Sequence, residues 1–263
     1  MRLTESQLAE YRKNGLLVQE GVFSEQEIDL LTEETEREYK KDTPRRILEE
    51  SGGAVRGVHG CHLYSDVFAR LVRDPRMLLP MRQLLGEDLY VHQFKINAKR
   101  SFVGDVWKWH QDFPFWHFED RMPAPNAASV AVFLDDVTEF NGPLFFVPGA
   151  HRTGLIEVPA QGSGWNRDLV ADFKYSLDQE TVQTLVESNG MFSAKGKKGG
   201  VVWFDCTIPH ASSPNISPFN RSLLIVSYCR TDNVPTTPGT PRPEWLAGND
   251  YTPLRPLEES TFA

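Results

Sequence analysis

The sequence predicts an α+β fold, a sheet sandwich or barrel carrying helices on its outside. Helix-start signals and helical periodicity fill the first 86 residues, β patterns follow from 87 to 232, and no internal repeat divides the 263-residue chain. One domain over 1–263 is expected: 1–86 mainly helical support, 87–232 the β core, and 233–263 a tail.

Thr4-Glu5-Ser6-Gln7 and Ser24-Glu25-Gln26-Glu27 match the capping box, in which a hydroxyl and a side chain three residues on satisfy free N–H groups at a helix start. The second box opens an amphipathic helix with Ile28, Leu30, Leu31 and Thr35 on its apolar face. Pro75 to Leu85 reads as a third helix, burying Leu78, Leu79, Met81, Leu84 and Leu85 and ended by Gly86. Between them, Lys41 to His62 lacks periodicity and reads as a long loop. Leu89 to Ala98 alternates as a strand, with Gln93, Lys95 and Asn97 on one face and Tyr90, His92, Phe94 and Ile96 on the other. Periodicity alone leaves open whether the polar face meets water or lines a barrel interior. Ser129–Leu134, Leu144–Val147, Gly200–Asp205 and Ser222–Tyr228 read as further strands, with Asn141-Gly142 a tight turn and Pro235–Pro243 a surface segment.

Composition narrows the partners. A formal net charge of -8 disfavours nucleic acid and anionic membrane surfaces, and no apolar run is long enough to span a bilayer. Three widely spaced cysteines without Cys-x-x-Cys argue against a disulfide framework, and the N-terminus has no apolar signal region. A cytoplasmic protein with a small-molecule substrate is the expectation. Gly-x-Ser-x-Gly, Walker-type and Gly-x-Gly-x-x-Gly strings are absent, so acyl transfer, nucleotide hydrolysis and Rossmann redox chemistry lack support.

The chemistry centres on Trp109-His110-Gln111-Asp112-Phe113. In an extended chain residues i and i+2 project to one side, so an imidazole and a carboxylate can meet one ion. Two histidines and a carboxylate form the facial set that leaves positions open on ferrous iron. His210, just after the strand Val201–Phe204, is the best third ligand. If 2-oxoglutarate chelates such an iron, its far carboxylate needs a fixed cation, and Arg221 at the start of a strand supplies a two-pronged donor. The dense aromatics Trp107, Trp109, Phe113, Phe115, Trp116 and Phe118 divide between core and pocket wall. Two rivals are a zinc hydrolase using the same ligands, which leaves Arg221 without a purpose, and a barrel that only binds a metabolite.

At these residues the sequence resembles the phytanoyl-CoA dioxygenase superfamily, and within it the ectoine hydroxylases and the free amino-acid hydroxylases of the leucine 5-hydroxylase type. The matching strings are Tyr90–Asn97, Trp109–Phe113, Trp116–Asp120, Phe140–His151 and His210–Arg221. The resemblance implies a double-stranded β-helix (jelly-roll, cupin-like) core and a dioxygenase that uses Fe(II), 2-oxoglutarate and O2 to hydroxylate an unactivated C–H bond of a small amino acid, releasing succinate and CO2. It implies His110, Asp112 and His210 as iron ligands and catalytic centre. Arg221, helped by Ser212 and Asn97, would bind 2-oxoglutarate; Gln93 and Trp116 would touch the substrate, Lys95 would serve either, and Arg56 would meet a substrate carboxylate. Ectoine hydroxylases typically read Trp-His-Ser-Asp-Phe-Glu-Thr-Trp-His; Gln111 and Pro114-Phe115 depart from this and favour the amino-acid side. Asp112 retains the carboxylate that halogenating relatives lack. Desaturation or cyclisation of a natural-product intermediate remains an alternative outcome, as does ectoine hydroxylation.

Overall fold

Strands whose two faces are both apolar need cover on both sides, and that requirement organises this chain. The structure is a computed structural model that describes residues 1–50, 52–162, 164, 169–171, 173–235 and 242–258. Its elements begin with α1 (Glu5–Asn14), β1 (Leu16–Gln19), α2 (Glu25–Lys40), β2 (Arg46–Leu48), β3 (Val55–His59), α3 (Asp66–Leu71) and α4 (Pro75–Leu85). Then come β4 (Leu89–Lys99), β5 (Trp107–His110), α5 (Phe113–Asp120), β6 (Ala127–Phe133), β7 (Leu144–Phe146), α6 (Gln179–Asn189), β8 (Phe192–Ala194), β9 (Val201–Asp205), β10 (His210–Ser212) and β11 (Arg221–Arg230).

The strands form two antiparallel sheets, a large one ordered β1-β9-β6-β11-β4-β3-β2 and a small one ordered β5-β10-β7-β8. Alternation sorts the side chains. Phe94, Ile96, Val130, Val132, Val201, Trp203, Leu224 and Val226 face outward into one cluster with Leu8, Leu31, Phe68, Leu71 and Met77 of α1 to α4. Ala131, Phe133, Val202, Phe204, Leu223 and Ile225 face inward and meet Leu144, Phe146 and Ala194 of the small sheet. The double-stranded β-helix core with helices outside is therefore present, and the small sheet closes one wall of a barrel.

Both capping boxes form: Thr4 with Gln7 and Ser24 with Glu27 each satisfy the other's backbone N–H. The helix expected over Pro75 to Leu85 forms as α4 and leaves no surface exposed at Met77, Leu78 and Met81; Leu79, Leu84 and Leu85 are half-buried. Leu30, expected on the apolar face of α2, is 45% exposed.

Several expectations are corrected. The stretch read as a loop over 41–62 holds β2 and β3, and β3 pairs with β4 in the register Gly57↔Asn97. Its glycine and arginines give no alternation to read; backbone pairing to β4 orders it. Gly57 is required there, because a Cβ would lie 2.8 Å from the Ile96 carbonyl oxygen. The first 86 residues thus contribute three strands of the large sheet as well as helices. A bulge in β4 breaks the alternation, since Ser227 pairs with Gln93 but Tyr228 with Val91. Tyr90 and His92 are consequently not on the Phe94 face: Tyr90 packs with Phe113, Phe115 and Trp116, and His92 contacts Asp120. Asn141-Gly142 bends the chain, with Gly142 at φ 79°, but the segment carries it from one sheet to the other rather than closing a hairpin.

The tail reading also fails for the described part. Arg242, Leu246 and Ala247 are buried, Gly248 N–H donates to His92 O at 2.7 Å, and Leu254 N–H donates to Leu89 O at 2.8 Å. Most of the proline-rich segment, 236–241, lies outside the described residues. Among the described residues, no helix is long and apolar enough to cross a membrane.

Candidate active site

β5 ends at His110 and α5 begins at Phe113, so Asp112 sits at the strand-to-helix junction. β10 pairs with β5 so that His210 lies directly across from His110. One donor atom from each of His110, Asp112 and His210 falls within 4.8 Å of the others, and all three residues are buried. His110 Nδ1 is 2.7 Å from Lys108 O, and His210 Nδ1 is 3.0 Å from Ile208 O. Each backbone carbonyl holds a proton on Nδ1 and leaves Nε2 as the free lone pair aimed at the common point. Two imidazole nitrogens and one carboxylate oxygen, with no fourth protein ligand among the described residues, fit ferrous iron with open positions.

The electrostatics keep the ligands in the forms that bind a cation. Burial, added to by neighbouring His210, lowers His110 to about 3, and burial lowers His210 as well. Burial opposes ionisation of Asp112, but Lys95 with His210 and His110 outweighs it and holds the carboxyl at about 2. Lys95 Nζ donates to Asp112 Oδ1 at 3.4 Å, and Ser129 Oγ donates to Oδ2 at 3.5 Å. Neutral histidines and a charged carboxylate are the metal-ready state.

Gln111, between the ligands, points the other way and is fully buried. Its Nε2 donates to Gly154 O at 2.7 Å and to Thr207 O, and its Oε1 accepts from Ile156 N–H at 2.9 Å. This side chain fastens the strand end to two loops. Aromatic rings close around the imidazoles: Phe173 lies 4.7 Å from the His110 ring, and Phe146 lies 5.8 Å from that of His210.

The pocket has an empty volume of about 740 Å³, open solvent at its mouth included. Gln93, Lys95, Asn97, Trp116, Ser212 and Arg221 line it together with the three ligands. The polar face of β4 is therefore interior. Arg221 is 1% exposed; its Nε donates to Gly142 O at 2.9 Å, while its Nη2 has no hydrogen-bond partner among the described residues. Ser212 Oγ and Asn97 Oδ1 are also buried without hydrogen-bond partners among the described residues. Burial pulls the Arg221 guanidinium down to about 9, with Asp135 opposing. A buried guanidinium and hydroxyl with unused hydrogen-bonding capacity fit the far carboxylate of 2-oxoglutarate.

Arg56 departs from expectation. It is not among the pocket-lining residues: its Nη1 donates to Glu49 Oε2 at 2.9 Å, its Nη2 donates to Val106 O at 2.9 Å, and its guanidinium lies 3.8 Å over the Trp107 ring. Glu49, already buried beside it, satisfies the charge that was assigned to a substrate.

The residues missed in sequence include His59, Leu169, Phe173, Arg242 and Leu246, all pocket-lining. Arg242 Nε donates to Asp120 Oδ1 at 2.7 Å and its Nη2 to Oδ2 at 2.5 Å, with His92 Nε2 3.0 Å from the same Oδ2. Gln93 Nε2 donates to Leu246 O at 3.0 Å. An arginine between Pro241 and Pro243 carries no periodicity, so nothing local distinguished it from a solvated one.

Known proteins agree with this geometry. Residues 11–223 match the family model described as phytanoyl-CoA dioxygenase. An L-proline trans-4-hydroxylase of Streptomyces griseoviridis is 38% identical over 253 residues, 94% of each chain. An ectoine dioxygenase of Bordetella bronchiseptica is 37% identical over 265 residues, covering 97% of this chain and 86% of its own. The crystal structure of EctD from S. alaskensis with 2-oxoglutarate and 5-hydroxyectoine superimposes with a TM-score of 0.84 at 30% identity, covering 98% of this chain and 88% of that one. The chain belongs to the phytanoyl-CoA dioxygenase family and is a 2-oxoglutarate-dependent non-haem iron dioxygenase.

Proposed function

We propose that this dioxygenase hydroxylates an unactivated C–H bond of a small free amino acid, with L-proline the first candidate and ectoine the second. The reading is carried by one observation: the pocket holding the His110, Asp112 and His210 set is also lined by two buried arginines, Arg221 and Arg242. Two carboxylate-bearing molecules must enter, a keto acid and an amino acid, and each arginine serves one. When bound, iron and 2-oxoglutarate supply the oxidising chemistry, with succinate and carbon dioxide as co-products.

The protein's own side chains do the placing. Arg221, Ser212 and Asn97 hold the keto acid by its far carboxylate. Arg242, fixed by Asp120, receives the amino-acid carboxylate, and Gln93, Trp116 and Leu246 shape the space beside it. Phe115, Phe173 and Leu169 exclude water, which protects a reactive oxidant and fixes which C–H bond is nearest. Relatives that act on L-proline and on ectoine, both cyclic carboxylates, support a compact ring as substrate. The departure at Phe115, which lines the pocket, favours L-proline over ectoine. The enzyme works in the cytoplasm, in keeping with its three buried free cysteines.

The test is anaerobic loading with iron and 2-oxoglutarate, then oxygen and a panel of free amino acids that includes L-proline and ectoine. Substrate-dependent succinate release with a product one oxygen atom heavier is expected. Release that no amino acid stimulates would remove the substrate assignment.

A further inference from the structure

Lys99 ends β4 and is completely buried, yet it does not line the pocket. Its Cα pairs with that of Arg221 across the β4–β11 ladder. Its Nζ donates to Asp105 O and to Ser213 O, the latter at 2.6 Å. Both acceptors are neutral carbonyls. Glu49, an acid that faces it, is engaged by Arg56 and by the Asp105 N–H.

The stem of Lys99 threads a channel that only glycine permits. A Cβ on Gly142 would lie 2.5 Å from Lys99 Cδ, and one on Gly104 would lie 2.7 Å from Lys99 Cβ. Gly142 is the residue whose carbonyl accepts from Arg221 Nε, and Ser213 follows Ser212. One side chain therefore touches the acceptor that orients Arg221, the residue after Ser212, and the loop that leads into β5 and His110.

An ammonium buried without a carboxylate is costly, and such a cost is sustained where an anion binds close by. Arg221, Arg56, Glu49 and Asp105 are the charged groups that face it. Burial, then Arg221 and Arg56, drives its pKa down to about 6, with Glu49 and Asp105 opposing.

We propose that Lys99 is a positioning residue for the far carboxylate of 2-oxoglutarate: it sets the Gly142 carbonyl and the Ser212–Ser213 backbone so that Arg221 and Ser212 converge. This rests on the reading of Arg221 given above.

The experiment compares binding of 2-oxoglutarate with that of 2-oxopentanoate, the same keto acid with a methyl in place of the far carboxylate, by calorimetry on anaerobic iron-loaded enzyme. Lys99→Met keeps the stem between the two glycines and removes the charge and both hydrogen bonds. It is expected to weaken 2-oxoglutarate by about tenfold or more while 2-oxopentanoate changes by less than about twofold. Equal weakening of both acids, or of neither, overturns the proposal, because a merely structural lysine has no means of sensing the far carboxylate. Lys99→Gln serves the same comparison should the methionine variant fail to fold. Arg221→Leu separates the two ideas. If it leaves the preference for 2-oxoglutarate intact, the assignment of Arg221 fails and Lys99 falls with it. If it abolishes the preference while Lys99→Met does not, only the role of Lys99 is overturned.

Discussion

His110 and His210 face each other across paired strands with ring centroids 4.1 Å apart, and each ring is turned by its own backbone carbonyl two residues earlier. Asp112 completes the set, its carboxylate 3.9 Å from His110 Nε2. Replacing Asp112 or His210 with alanine should abolish stoichiometric iron binding. In the unaltered protein, metal at 100 times its Kd adds about 2.7 kcal/mol of stability. Thermal unfolding with and without iron checks this, and a variant still stabilised by iron to the same degree would contradict the assignment.

Arg242 and Asp120 form a buried two-pronged pair at the pocket wall. Asp120→Asn leaves the guanidinium underpaired and should cost about 3–5 kcal/mol of stability, as broken buried pairs do. Arg242→Leu should raise KM for the amino acid by about tenfold or more, with KM for 2-oxoglutarate little changed. Steady-state kinetics with each reactant varied in turn separate the two. Equal effects on both constants would sink the division of labour between Arg242 and Arg221.

Phe94 lies on the outward face of β4, fully buried, with ring centroids 5.3 Å from both Phe68 and His62. Phe94→Ala opens a cavity between the large sheet and the helices and should destabilise by about 3–5 kcal/mol. Urea unfolding measures it. A loss under about 1 kcal/mol would mean the helical layer is not packed as described.

His59 is buried, and burial, with Lys95 and Arg242 nearby, lowers its pKa to about 3. Its folded value lies below its unfolded one, so the unfolded chain takes up the proton first. Stability is complete above about pH 6.5 and declines as the pH falls from there toward 3. Between pH 7 and pH 5 this one group accounts for about 2 kcal/mol. His59→Phe should flatten the decline in metal-free protein, and an unchanged slope would show that the ring is already solvated.

Much of this was legible along the chain because the signals are local. A hydroxyl and a glutamate three residues apart cap a helix whatever surrounds them, as at Ser24 and Glu27. Alternation marked β4, apolar runs marked β6, β9 and β11, and the spacing of His110 and Asp112 placed both at one strand end. Other features depend on partners far away in sequence. Periodicity says that the two faces of β4 differ but not what covers each; helices over Phe94 made Gln93, Lys95 and Asn97 interior. β2 and β3 exist through backbone pairing, which is blind to side-chain pattern. Arg56 and Arg242 look alike as isolated arginines. The fold gave Arg56 a buried glutamate outside the pocket and set Arg242 in its wall, because a charge acquires its purpose from the neighbours that desolvate and pair it.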